Sequence, residues 1–455
     1  MNREKLGSRL GFILLSAGCA IGLGNVWKFP YMVGQNGGGL FVLLYLFFLL
    51  VIGVPVLAME FSLGRASQKS PAKLYQELEP KGTKWHLHSP MAVLGSYILM
   101  MFYTVVAGWL IKYFVYSAKG EFSGTSVEKV SNQFGNMLSD GSSMAFYTIL
   151  VIIIGFLVCS FGVKKGLEKI TKNMMLLLLG IMIILAINSV FFTEDKGGLE
   201  FYLSPNIENI KEIGFIEVIV NAMNQAFFTL SIGMGCMAMF GSYIDRKMSL
   251  FGEAICVSLL DTFVAIVSGL IIFPACFANE VPVDSGPSLI FVTLPNVFNQ
   301  MAFGQVWGSL FFLFLAFAAL STVFTVFEVI IASTIDMFNW SRKKACIINC
   351  LALIILSLPC VLGFNLLSDI QPFGEGSTIM DLEDFFVSNI ILPVGSLIFI
   401  IFCVSKKGWG WDNFVKEANT GKGFKIKKYM RAYMTYVLPI IVFTIFVLGL
   451  YNFFK

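Results

Sequence analysis

Two short stretches of this chain place glycine and small polar side chains where continuous apolar helix is expected. The first reads SAGCAIGLGNVWKFP, with Gly18, Gly22 and Gly24 inside seven residues and Asn25 directly after them. The second reads FFTLSIGMGCMAMFG, with Thr229, Ser231, Gly233 and Gly235. A helix that unwinds at such a point frees backbone carbonyls, which can replace the water shell of a hard cation. It also leaves half-helix N-termini whose N–H groups and dipole attract a carboxylate. Tight packing through small residues is the plainer account of either stretch taken singly. Together, in corresponding positions of two halves of the chain, they fit a binding site at the middle of a membrane. Glu60, Asp261 and Glu328 add three carboxylates in apolar surroundings, where burial is costly and a functional role is the default reading.

The elements that position these residues follow from composition. The 455 residues are 57% hydrophobic and 13% charged, with a mean hydropathy of +0.79; a water-soluble globule of this composition would expose extensive apolar surface. A bilayer core about 30 Å thick needs about 20 apolar residues per crossing. Eleven runs qualify, at 11–34, 39–63, 90–117, 145–162, 170–192, 214–243, 250–277, 303–337, 345–363, 380–404 and 432–453. The first is longer than a signal-peptide core and lacks a small-residue cleavage site, so it is expected to stay in the protein. With the N-terminus inside, the inward segments hold 25 of the 32 lysines and arginines, the bias of cytoplasmic loops. This predicts a multi-pass protein of the inner (plasma) membrane with its N-terminus cytoplasmic and its C-terminus extracellular. The net charge of +4 follows from the same bias and implies no nucleic-acid partner. The nine cysteines show no CxxC pair, and His86 and His88 fall in a loop expected to lie on the membrane surface, so no metal cluster or disulfide framework is supported.

The two interrupted helices lie five apart. This predicts an all-α integral membrane fold of one domain, 1–455, built from two five-helix repeats, about 11–192 and 214–404. The second repeat is inverted, and an extra helix at 432–453 lies outside both.

The residues RLGFILLSAGCAIGLGNVWKFPYMVGQNGGGLF, with FFTLSIGMG and GPSLIFVTLP, resemble the neurotransmitter:sodium symporter family from Arg3 to about the tenth helix. Bacterial leucine- and tyrosine-transporting proteins are examples of that family. The resemblance implies a leucine-transporter-like fold and sodium-coupled amino-acid symport by alternating access. It also implies two sodium sites. The first uses the Ala20 carbonyl, Asn25, Thr229, Asp261 and the substrate's own carboxylate. The second uses the carbonyls of Gly18, Ile21 and Ala318 with the hydroxyls of Ser321 and Thr322. Asp261 departs from the family's usual Asn; a fixed carboxylate there can supply the negative charge that chloride supplies in chloride-dependent relatives, so no chloride requirement is expected.

For the substrate, the resemblance implies an ammonium among the carbonyls of Ala20, Phe228 and Thr229, with the Ser231 hydroxyl nearby. It places a carboxylate at the N–H groups of Leu23 and Gly24 and the Tyr103 hydroxyl. The side-chain pocket is lined by Leu99, Val106, Phe228, Met234 and Val326. Met234 stands where the leucine-transporting relative has Phe, and a flexible thioether accommodates larger side chains. With Cys19 and Asp261 this makes tyrosine the first choice among aromatic and bulky aliphatic L-amino acids.

The outer gate is expected to be a Lys28–Asp384 pair above Tyr103 and Phe228. The inner gate is Arg3 with Asp336, beside Tyr243, with Leu6 in place of a frequent Trp. Glu60 and Glu328 are expected to tie down the unwound segments. Sodium, the amino acid and membrane lipid are thus the expected partners. A membrane enzyme would need a nucleophile with a base, or a metal cluster, and the sequence offers neither. A channel would conduct without substrate dependence, and a substrate-binding sensor would keep the pocket without transporting.

Overall fold

The computed structural model describes residues 4–191, 196–211, 213–278 and 288–454. Among them nine helices are long and apolar enough to cross a membrane. They are helix 2 (Gly39–Ser67), helix 3 (Trp85–Ala118), helix 4 (Gly141–Ser160), helix 5 (Val163–Phe191), helix 7 (Leu250–Ala278), helix 8 (Gly304–Phe338), helix 9 (Arg342–Leu362), helix 10 (Ile379–Val404) and helix 11 (Met430–Tyr451). Helix 1 is a bent pair, Arg9–Ala20 and Gly24–Gln35, at 57° to each other. Helix 6 is also two pieces, Phe215–Thr229 and Cys236–Gly241. Among the described residues these nine, the bent helix 1 and the two-piece helix 6 fall on the eleven runs read from hydropathy. Helix 5 begins seven residues earlier than its apolar run, because a π-helical turn, Val163–Glu168, extends it through charged residues.

Burial sorts the helices. Helix 8 has 78% of its most apolar window buried and helix 11 only 28%, so helix 8 is a central post and helix 11 sits at the rim facing lipid. Helix 1 packs on helices 7 and 8, and the second piece of helix 6 lies along helix 2. Both broken helices are therefore enclosed by unbroken ones, which satisfies the rule that irregular backbone at membrane depth is tolerated only inside protein.

At the face carrying the N-terminus, Arg65 at the end of helix 2 is 1% exposed. Its guanidinium donates to Glu417 Oε1 at 2.7 Å, to the Met248 carbonyl at 2.8 Å and to the Glu417 carbonyl. These bonds fasten the short helix Trp411–Ala418 beneath helix 2, with all of the buried charge compensated. The His86–His88 loop forms a 3-10 turn, Trp85–His88, whose indole donates to the Lys407 carbonyl at 2.8 Å.

Candidate substrate and ion site

In helix 1 the α-helix ends at Ala20. Ile21 is extended (φ −71°, ψ 94°), and the chain resumes as a π-helical turn over Gly24–Lys28. Gly22 lets this break wedge between helices 3 and 8: a Cβ there would lie 2.4 Å from the Tyr103 hydroxyl and 2.7 Å from Thr322 Oγ1. In helix 6 the chain turns through Ser231 (φ 50°) and Gly233 (φ 103°). A side chain at Gly233 would be strained and would also strike the Leu392 carbonyl, 2.1 Å from its Cβ. The Gly233 N–H, freed by the break, donates to Glu60 Oε1 at 2.5 Å. Glu60 is fully buried and thereby ties helix 2 to the break of helix 6. This settles where one orphan backbone group of the unwound segment goes.

Asp261, fully buried on helix 7, joins the two breaks. Its Oδ1 accepts from Asn25 Nδ2 at 2.8 Å, and its Oδ2 accepts from the Thr229 hydroxyl at 3.3 Å. Asn25 Oδ1 faces the Gly22 N–H at 3.4 Å. Three of the four residues predicted for the first sodium thus meet at one point, and Ala20 lines the cavity beside it. Hard oxygens gathered around one buried carboxyl group suit a small hard cation.

The second predicted set also converges. Thr322 Oγ1 lies 3.3 Å from the Gly18 carbonyl and 3.5 Å from those of Ile21 and Ala318; Ser321 Oγ donates to the Ala318 carbonyl at 2.8 Å and is 3.5 Å from that of Ile21. Five oxygens from helix 1 and helix 8 thus surround one point, all neutral.

Between these clusters lies a cavity of about 30 Å³. Of the predicted substrate residues, Ala20, Leu23, Gly24, Leu99, Tyr103, Phe228, Ser231 and Met234 line it. The Leu23 N–H donates to the Tyr103 hydroxyl at 3.1 Å, and the Ser231 hydroxyl donates to the Cys19 carbonyl at 3.2 Å. Thr229 lies just behind, in the Asp261 cluster. Val106 instead lines a vestibule of about 300 Å³ on the face opposite the N-terminus, with Lys28 and Asp384. Leu23, Tyr103 and Phe228 line both spaces and so form the partition between them. Val326 lines neither cavity; it is fully buried in helix 8.

Lys28 and Asp384 share the vestibule but do not meet as the predicted pair. The Lys28 ammonium sits 3.7 Å from the centroid of the Phe228 ring, a cation–π contact, and Asp384 accepts from the Ser388 hydroxyl at 2.8 Å. On the N-terminal face, Arg3 lies outside the described residues. Asp336 accepts from the Ser70 N–H at 2.8 Å. Tyr243 donates to Glu328 Oε1 at 2.6 Å, and Arg342 forms an ion pair with the same fully buried carboxylate. The Leu6 N–H donates to the Tyr243 carbonyl at 3.2 Å, closing the first residues of the chain over this network.

Sequence reasoning missed Val387 and Leu392, which line the substrate cavity from helix 10. They reach it through a π-helical turn, Phe386–Ile391, which has no signature in the apolar run. It also missed Gln225, whose amide donates to the Gly24 carbonyl at 2.9 Å. Gln225, with Asn221 and Asn224 in the polar-interrupted stretch NAMNQAFFT, was the available signal.

Two interrupted helices enclosing a small cavity between cation-suited oxygen clusters define a membrane carrier. The chain belongs to the sodium:neurotransmitter symporter family, whose profile matches residues 3–136 and 118–455. A sodium-dependent transporter of Bacillus subtilis, YhdH, is 32% identical over 98% of both chains. A sodium-dependent transporter of Methanocaldococcus jannaschii is 32% identical over 97% of this chain and 89% of its own. Among solved structures, MhsT in complex with L-phenylalanine matches with a TM-score of 0.88 at 35% identity, over 98% of this chain and 99% of its own. The protein is accordingly a sodium-dependent transporter with the leucine-transporter-like fold, and not an enzyme.

Proposed function

We propose that this protein imports a hydrophobic or aromatic L-amino acid, tyrosine first, by symport with sodium, and that it does so without chloride. The observation that carries the reading is the Asp261 cluster: one buried carboxylate bonded to Asn25 of the helix 1 break and to Thr229 at the helix 6 break. A sodium ion taken here by Ala20, Asn25, Thr229 and Asp261 has its fifth oxygen supplied by the substrate carboxylate, which rests on the Leu23 and Gly24 N–H groups and the Tyr103 hydroxyl. Each ligand then raises the affinity for the other. A second sodium at Gly18, Ile21, Ala318, Ser321 and Thr322 holds the first half of helix 1 against helix 8.

With sodium bound, the Asp261 carboxylate supplies the negative charge for which an anion would otherwise be needed. The binding of phenylalanine by MhsT supports an aromatic substrate, as does Met234, fully inside the pocket and flexible enough to move aside. The side-chain pocket consists of Leu99, Phe228 and Met234, extended by Val387 and Leu392. In the plasma membrane the N-terminus faces the cytoplasm and the Lys28–Asp384 vestibule faces outward. The single domain consists of two inverted repeats, about 11–192 and 214–404. Sodium and substrate enter through the vestibule, Lys28 leaves Phe228 for Asp384 as it closes, and helices 1, 2, 6 and 7 tilt against the remaining helices. Release of the second sodium frees the first half of helix 1, and Arg3, Asp336 and Tyr243 part.

The test is uptake of labelled tyrosine, phenylalanine, tryptophan and leucine into liposomes holding the purified protein, under an inward sodium gradient with chloride replaced by gluconate. Sodium-driven accumulation that survives chloride removal is expected. Binding without sodium-dependent accumulation of any amino acid would overturn the reading in favour of a sensor.

A further inference from the structure

The first turns of helix 10, Ile379–Phe385, carry three carboxylates with three different environments. Asp381 completes a capping box with Thr378, accepting from its N–H at 2.7 Å and its hydroxyl at 2.8 Å. Asp384 faces the vestibule and accepts from Ser388. Glu383, between them, points the other way. It is 5% exposed, and neither of its carboxyl oxygens has a hydrogen-bond partner. The transport mechanism above has no use for it.

An ionised carboxylate in that position would have lost its water and gained in exchange at best the weak thiol donor of Cys360. A neutral carboxylic acid has no such conflict, and the Cys360 thiol beside it at the end of helix 9 is only a weak donor to the charged form. Cys360 is also the titratable group that faces Glu383 from a neighbouring helix. Among the described residues, helices 3 and 11 bring it no charge, helix 11 contributing Phe453 against Phe385. On its own helix, Asp381 is committed to the cap and Asp384 to the vestibule.

The position matters for transport. The segment bearing Glu383 leads without interruption into the π-helical turn Phe386–Ile391, which sets Val387 in the substrate cavity, and its next residue is Asp384. Glu383 cannot reach water to ionise unless this turn rotates or shifts, and Asp384 and Val387 move with it.

We propose that Glu383 is a proton-binding site of the carrier, distinct from the substrate and sodium sites, whose occupancy holds the start of helix 10 in the arrangement seen here. Loss of the proton displaces Asp384 and Val387 and weakens substrate binding.

The test compares the full-length wild type with Glu383→Gln and Glu383→Met. Infrared difference spectra of wild type minus E383Q, recorded in detergent between about pH 5.5 and pH 8.5, report the carboxyl directly and do not depend on transport. A protonated-carboxyl band that is lost on raising pH is expected in the difference. A difference showing only an ionised carboxylate throughout would overturn the proposal. In liposomes, the apparent substrate KM of the wild type is expected to rise at least about threefold over the same range, and that of E383Q to stay within about twofold. If E383Q does not fold, E383M replaces the acid by an apolar side chain of similar length and is expected to show the same flat profile. An unchanged pH profile in whichever variant folds would sink the proposal, and failure of both to fold would overturn it in favour of a structural carboxylate.

Discussion

Gly22→Ala tests whether the break of helix 1 is a fitted surface or only a flexible one. Gly22 needs no left-handed backbone, so the substitution is opposed by space alone. The added methyl would sit 2.4 Å from the Tyr103 hydroxyl and 2.7 Å from Thr322 Oγ1. Tyr103 is 5% exposed on helix 3 and cannot swing its ring clear without disturbing that packing. Its hydroxyl must retreat from the Leu23 N–H, and Thr322 from the Gly18 carbonyl. Overpacking costs about 1–3 kcal/mol and a lost hydrogen bond about 1 kcal/mol, together about 2–4 kcal/mol. At 1.4 kcal/mol per decade this is a fall of about 30- to 1,000-fold in affinity, shared between substrate and sodium. Scintillation-proximity binding of labelled substrate, with sodium titrated, measures both. Gly180→Ala on the lipid side of helix 5, where a Cβ meets nothing within 4 Å, is the matched control and is expected to be neutral. If G22A binds substrate and sodium within threefold of wild type, the break is not held against Tyr103 and Thr322, and the assignment of the carboxylate site fails.

Three further substitutions probe separate parts of the site. Asp261→Asn removes the fixed charge that replaces an anion; sodium-driven uptake is expected to fall by about tenfold or more and to recover in part with chloride, and full activity in gluconate would remove Asp261 from the first sodium site. Thr322→Ala deletes the hydroxyl that reaches the Gly18, Ile21 and Ala318 carbonyls, so the sodium concentration for half-maximal uptake is expected to rise by about tenfold, from a contribution near 1.5 kcal/mol. Arg342→Ala leaves the fully buried Glu328 without its cation and is expected to cost about 3–5 kcal/mol of stability, read as a lower melting temperature in detergent; an unshifted transition would mean that the Tyr243 bond alone sustains Glu328.

What could be read in the sequence divides along physical lines. The breaks were legible because Gly18, Gly22, Gly233 and Gly235 contradict the apolar helices around them, and a contradiction of local propensity marks a site. The convergence of Ser321 and Thr322 on helix 1 rests on the family pattern, because two hydroxyls in a helix of 35 residues are unremarkable in themselves. Val326 was misplaced for the same reason: a buried valine on a central helix reads alike whether it faces a cavity or the core. Val387 and Leu392 were hidden by the π-helical turn that rotates helix 10 by about 100° per inserted residue, a register change that the run FFVSNIILP does not announce. The Arg65 network was hidden because its acceptors lie far along the chain, the Met248 carbonyl 183 residues away and Glu417, on the short helix Trp411–Ala418, 352 residues away. The Lys28–Phe228 contact was hidden because a lysine in a vestibule can face a ring or a carboxylate, and only packing decides.

The two ion clusters share a property that bears on how tightly they hold sodium. In each, the residues proposed as ligands are hydrogen-bonded to one another: the Asn25 amide nitrogen and the Thr229 hydroxyl donate to Asp261, Ser321 donates to Ala318, and Thr322 lies within reach of Gly18, Ile21 and Ala318. To accept a cation, each hydroxyl has only to rotate its hydrogen away, and the Asn25 amide has to present its oxygen in place of its nitrogen. Apart from the turn of the Asn25 amide, the heavy atoms stay almost where they are, which keeps reorganisation small. The hydrogen bonds given up still count against the ion. Two of them per cluster, at about 1 kcal/mol each, lower sodium affinity by about 30-fold relative to a cage of carbonyls with no internal donors. A carrier that must release sodium on the far side of the membrane gains from that loss. Replacing Thr229 by Val, which removes a ligand and a competing donor together, is therefore expected to weaken sodium less than the loss of one of five oxygens would suggest. An effect as large as that of Asp261→Asn would show that the hydrogen bond offsets nothing.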